Sequence, residues 1–254
     1  MTYKTLVASA AVSLILCSTS LTSSADTLGF RVGAYSWAQN YDGNIQSSDS
    51  GLDEIDISDD LGFDDESDTT IYAVLEHPFP IIPNIKIQKT DLQATGTDNP
   101  GSDFLFDGNS YLSTDKIISS SDLSHTDVTV YYEILDNWIS IDLGFTARRF
   151  TEGFELYTED GKKSSLNIDS TVPLLYVAAK VELPFTGLYV DAEVNGIGYD
   201  DTSLTDYKIS LGYETDIGLG VEAGLRSIEL DYDDGDEEAD ISIDGAFIGI
   251  FYHF

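Results

Sequence analysis

The sequence is short of nearly everything a soluble enzyme or a nucleic-acid binder would use. Its 1 cysteine, Cys17, lies near the start, so disulfides cannot hold the rest of the chain together. Lysine and arginine total 12 against 46 aspartates and glutamates, a formal charge of −34 that excludes nucleic acid as a partner. Beyond the opening residues no apolar run is long enough to cross a bilayer as a helix, so any membrane residence has to use strands. What is plentiful is aromatic: 11 % of the residues, including 15 tyrosines, where acidic disordered chains are poor in such side chains.

The first residues read as an export signal. Lys4 precedes an apolar stretch from about Leu6 to Cys17, and Ser23, Ser24 and Ala25 offer small residues for cleavage before Asp26. Leu16 stands where lipoprotein processing wants a small residue, so Cys17 is not read as a lipid anchor. The expected organisation is a signal peptide over 1–25 and one folded unit over 26–254.

After Asp26 one grammar repeats. Ile139, Ile141, Leu143, Phe145 and Ala147 alternate with Ser140, Asp142, Gly144, Thr146 and Arg148; Leu188, Val190, Ala192 and Val194 alternate with Tyr189, Asp191, Glu193 and Asn195. Period two means strands with one apolar and one polar face. Ten such segments are predicted, at about 27–38, 68–78, 84–94, 122–135, 138–150, 171–183, 187–197, 203–215, 219–231 and 240–254. The connections alternate in length. Acidic, Ser- and Gly-rich stretches at about 39–67, 95–121, 151–170, 198–202 and 232–239 follow the odd segments, and short turns at 79–83, 136–137, 184–187 and 216–218 follow the even ones.

An even number of strands, with long loops on one side and short turns on the other, is the pattern of an all-β, antiparallel up-and-down barrel in a bacterial outer membrane. It places the long loops outside the cell and the turns in the periplasm. The last strand alternates through Ile250 and Tyr252 to Phe254, which fits the terminal signal read by the outer-membrane assembly machinery. Trp138, Phe185 and Tyr213 are placed for an aromatic girdle at the periplasmic interface. A soluble β-sandwich would also alternate, but has no need for connections that alternate in length.

Arg31, Lys86, Arg148, Lys180, Lys208 and Arg226 share the polar phase with Glu76, Asp142, Glu182, Asp191, Glu193, Glu214 and Glu222. A barrel this narrow has little free lumen. These thirteen residues are therefore read as a network of paired charges filling the interior, with an ion path as the alternative. The acidic runs Asp59 to Glu66 and Asp233 to Glu238 could hold divalent cations weakly, though neither has calcium-loop spacing. Arg149, Lys89, Lys162 and Lys163 are placed to meet lipopolysaccharide phosphates.

Catalysis is not expected. His77 opens a turn and His253 adjoins the terminus, while His125 shares a face with Asp127 but not with Ser124. No metal or other cofactor is expected.

The run Glu76-His77-Pro78-Phe79-Pro80-Ile81-Ile82-Pro83-Asn84, its following Ile85-Lys86-Ile87 and Thr90-Asp91-Leu92, and the upstream Ile55-Asp56-Ile57-Ser58-Asp59-Asp60-Leu61-Gly62-Phe63 resemble a family of uncharacterised gammaproteobacterial outer-membrane β-barrel proteins. The resemblance spans the mature chain. It implies a barrel in the outer membrane and supplies no catalytic or binding residues. The expected role is structural or surface-interacting, with a largely filled lumen; a narrow porin-like channel is the runner-up and a surface hydrolase the third reading.

Overall fold

A computed structural model describes residues 28–47, 55–106, 108–200, 202–233 and 237–254. The expected signal peptide and the centre of the second acidic run lie outside them. The first half of the chain supplies β1 (Gly29–Ser47), β2 (Ile55–Asp56), β3 (Glu66–Glu76), β4 (Asn84–Thr90), β5 (Gln93–Asp98), β6 (Phe104–Phe106), β7 (Asn109–Tyr111), β8 (Ile117–Asp122) and β9 (His125–Asp136). The second half adds β10 (Ile139–Phe150), β11 (Gly153–Thr158), β12 (Lys163–Asn167), β13 (Ser170–Glu182), β14 (Leu188–Tyr199), β15 (Thr202–Glu214), β16 (Leu219–Asp233) and β17 (Glu237–His253).

Ten of these, β1, β3, β4, β9, β10, β13, β14, β15, β16 and β17, form a closed antiparallel barrel in which each strand pairs with the next and β17 returns to β1. All ten predicted segments are barrel strands. The closing pair is knit at its lower end by Phe30 and Phe254, whose backbones exchange hydrogen bonds of 2.8 and 2.9 Å and whose rings meet edge-on at 5.0 Å. Apolar side chains such as Ile71, Ile87, Val130, Leu143, Phe145, Leu175, Leu211 and Ile250 point outward and are exposed. At the short-turn end Trp138, Phe185, Tyr213, Tyr252 and Phe254 are exposed beside them.

Among the described barrel strands the alternation is interrupted between β9 and β10, which protects this outer band. Asp142 pairs with Glu133 but Ile141 pairs with Leu135, so Ile134 is an extra residue in β9. The bulge lets Ile134 and Leu135 both face outward and returns Asp136 to the inner phase; without it Leu135 would point into the polar interior.

The long-loop end departs from expectation. Residues 39–47, read as loop, continue β1, and 95–121 and 151–170 contain strands. The β5, β8, β11 and β12 segments prolong β4, β9, β10 and β13 above short breaks and pair as a second sheet in the order β12-β11-β8-β5. Across the breaks the ladder is carried by Leu123 N to Leu92 O at 2.8 Å and Ile168 N to Glu152 O at 2.8 Å. The inner phase is kept as well, since Thr90, Leu92 and Ala94 are all buried, as are Ser121, His125 and Asp127. Small polar residues such as Ser119, Ser120 and Ser121 read as loop composition, yet a strand pinned between two partners needs no strong propensity of its own. The expected loop at 198–202 is also corrected: β14 and β15 are joined across 200–201, with Asp200 at φ 49°.

Candidate functional site: the barrel interior

Three layers occupy the interior from the short-turn end to the long-loop end. The first is a polar vestibule of about 250 Å³, with Asn137 and His253 among its lining residues. Most predicted charges meet here. Lys86 Nζ lies 2.6 Å from Glu193, Lys180 Nζ 2.6 Å from Glu182, Arg31 3.5 Å from Glu214, and Lys208 3.9 Å from Asp191 and 4.0 Å from Glu193. Glu76 accepts the Tyr131 hydroxyl at 3.0 Å and Glu222 that of Tyr72 at 3.0 Å. Asp142 stands apart: it faces Glu133 across the ladder, and its Oδ1 is buried without a partner.

The second layer is a belt across the axis. Arg148 is fully buried and donates from Nε and Nη2 to both oxygens of Asp127, at 2.9 and 2.8 Å, while the same Nη2 reaches Asp206 at 2.5 Å. Arg226 takes both oxygens of Asp206, at 3.0 and 2.7 Å, and donates from Nη1 to Tyr35 and Thr90. Its guanidinium sits 4.8 Å over the ring of Trp37, which is 0 % exposed. Forked guanidinium-to-carboxylate contacts engage both carboxylates, which makes four buried charges tolerable at mid-barrel, although Arg148 Nη1 is left buried without a partner. A void of about 10 Å³, lined by Tyr35, Asn195, Asp206 and Arg226 among others, interrupts this packing.

Neither arginine pairs with a predicted carboxylate. The sequence pattern presents Asp127 only as a neighbour of His125 and does not single out Asp206. Its signal was present, two residues before Lys208 on one face, but Leu204 begins that face and blurs the polar phase.

The third layer is apolar. Residues 56–62 form a helical turn, with Asp60 N to Asp56 O and Gly62 N to Ser58 O both at 3.0 Å, and Gly62 ends it at φ 69°. Ile57, Leu61 and Phe63 from this turn are buried with Tyr41, Leu92, Ala94, Ile117, Leu156, Ile228, Ile241 and Ile243 in one cluster. The segment is stitched to both walls: Ile57 N bonds Gly43 O at 3.0 Å, and Phe63 forms an isolated bridge with Gly96. The acidic run is thus an apolar plug. Asp56 accepts the Ser58 and Asp59 amides at 2.8 Å each, and Asp60 accepts Asp56 N at 2.9 Å and Gly101 N at 2.6 Å. The amide of Asp59, foremost among these donors, holds the Asp56 carboxyl below its ordinary range.

The histidines are tied into the structure. His77 Nε2 contacts Pro83 O at 3.2 Å and its Nδ1 the Phe79 amide at 3.2 Å, so it orders the proline turn. His253 contacts Glu214 at 3.1 Å. His125, Asp127 and Asp206 have the spacing of a metal site. The donor set does not suit a cation there, because Arg148 and Arg226 already claim both carboxylates. Outside the wall, Arg149 pairs with Asp169 and Lys89 with Asp91, both exposed, while Lys162 reaches Asp115 and Lys163 reaches Glu155.

No family model and no curated protein matches the chain. Among solved structures it is similar to the outer-membrane protease OmpT of Escherichia coli, with a TM-score of 0.53 and 10 % identity over 92 % of this chain and 99 % of that one. The translocator domain of the autotransporter NalP from Neisseria meningitidis gives a TM-score of 0.43 and 12 % identity over 89 % and 88 %. The likeness to the protease is one of fold: this chain has the ten-stranded architecture of an outer-membrane β-barrel.

Proposed function

We propose that this chain is an integral outer-membrane barrel with a largely filled lumen, serving a structural or surface-interaction role and carrying no catalytic activity. The observation that carries the reading is the double closure of the axis, by the Arg148–Asp206–Arg226 belt and by the plug above it. The outward apolar band and the lower aromatic ring support residence in a bilayer. Arg149 and Lys89 at the upper edge of the band suit contact with lipopolysaccharide phosphates. The Phe254 terminus suits recognition by the assembly machinery. Asp56 and Asp60 have lone pairs engaged by amides, which leaves weaker provision for divalent cations than their number suggests.

Purified protein in planar bilayers is expected to conduct no steady current. Steady, ion-selective single-channel currents from the wild type would overturn the filled-lumen reading in favour of a narrow channel, the reading that the vestibule favours.

Orientation has its own test. Gly108 and Gly161 lie at left-handed turns, φ 70° and 93°, with nothing within 4 Å of an added Cβ, so both tolerate inserted tags. Tags there should be labelled on intact cells and a tag at Asn137 should not. The opposite pattern would invert the topology.

A further inference from the structure

The vestibule is not balanced in charge. Glu76, Glu133 and Asp142 cluster on one wall, and the cations of the cavity are engaged elsewhere: Lys86 and Lys208 with Glu193, Lys180 with Glu182, Arg31 with Glu214. Glu133 and Asp142 are direct cross-strand partners, an arrangement that like charges disfavour. Two polar atoms on residues that line the cavity make no hydrogen bond: Asp142 Oδ1, which can only accept, and the Tyr189 hydroxyl, which can donate or accept, on a residue only 3 % exposed. An unmet carboxylate oxygen beside surplus negative charge calls for a ligand that is positive and donates hydrogen bonds.

A metal ion is the poorer fit. Among the described residues only the His125, Asp127 and Asp206 group has metal-ligand spacing, and it lies in the belt. The vestibule carboxylates are instead spread along a wall with tyrosine faces between them. Those faces already accept ammonium groups, with Lys180 Nζ 4.7 Å from the Tyr189 centroid and Lys86 Nζ 6.0 Å from that of Tyr176. At about 250 Å³ the space lies below that of a drug-sized pocket and suits a small, slender molecule.

We propose that the vestibule binds a small aliphatic amine carrying two or more ammonium groups, one held by the Glu133–Asp142 pair and another toward Tyr189. The site stands whether or not the lumen conducts, so conductance and binding can fail separately. The test is calorimetric titration of the full chain, in zwitterionic detergent micelles, with spermidine. Wild type should bind at a single site. Asp142→Asn, which keeps the side-chain shape and relieves the like-charge pair, should weaken binding about tenfold or more, the scale of one charge-assisted contact. Tyr189→Phe should weaken it less, and Asp244→Asn on the outer wall should leave it unchanged. Gel mobility before and after heating shows that each variant is folded. Absence of binding to the wild type, wild-type affinity in both vestibule variants, or full displacement of spermidine by equimolar magnesium would each overturn the proposal.

Discussion

Asp206→Ala is expected to destabilise the barrel more than removal of either arginine it holds. Among the described residues Arg226 pairs with no carboxylate but Asp206, and Arg148 would keep only Asp127. Stranding a buried charge typically costs about 3–5 kcal/mol, and here two guanidiniums lose a partner in one substitution. Arg226→Ala should fall lower in that range, since Asp206 retains Arg148. Urea titrations in lipid vesicles, read by gel mobility and by the fluorescence of buried Trp37, give the order directly. The pair Asp206→Leu with Arg226→Met should recover much of the loss, because apolar replacement of both partners removes the need for compensation. Wild-type midpoints for Asp206→Ala would mean that the belt adds nothing to stability.

Gly96→Val should dislodge the plug while leaving the barrel below intact. A Cβ at Gly96 would sit 2.2 Å from Leu61 O and 2.5 Å from the Gly62 carbonyl carbon, backbone atoms with no flexible end to swing aside. Overpacking of this kind costs about 1–3 kcal/mol where a core must absorb it, and the plug can escape by lifting away. The expected signature is new protease cleavage within residues 55–63, with the heat-modifiable band unchanged. Cleavage no faster than in the wild type would show that the turn does not depend on its approach to β5.

The two substitutions separate what sequence patterning could and could not reveal. Strand number and phase were legible because a wall with lipid-like solvent on one side and polar filling on the other imposes period two on every strand. Arg148 and Arg226 stand out in that phase. Their partner Asp206 does not: Arg226 reaches it diagonally from the adjacent strand, but its contact with Arg148 joins β15 to β10, strands that share no ladder. The plug was illegible for another reason. Ile57 and Leu61 sit four apart at helical spacing, with Phe63 just past the turn, all among aspartates, and the composition of the run speaks of solvent while three side chains carry the burial. The strands above the breaks were hidden likewise, since Ser and Thr hold them by position and not by propensity.

The closing ladder between β1 and β17 joins residues at opposite ends of the chain, from Arg31 with His253 to Ser47 with Glu237. Bringing such distant ends together costs about 3 kcal/mol more chain entropy than closing a ten-residue hairpin. Every other barrel contact between neighbouring strands can form before this one, so closure is expected to come last in assembly. Until it happens the chain is an open sheet with two unpaired edges, and edges of that kind recruit foreign strands. A ribosome that stops short of the last strand therefore releases a product that cannot finish folding alone, whatever the quality of the hairpins already made.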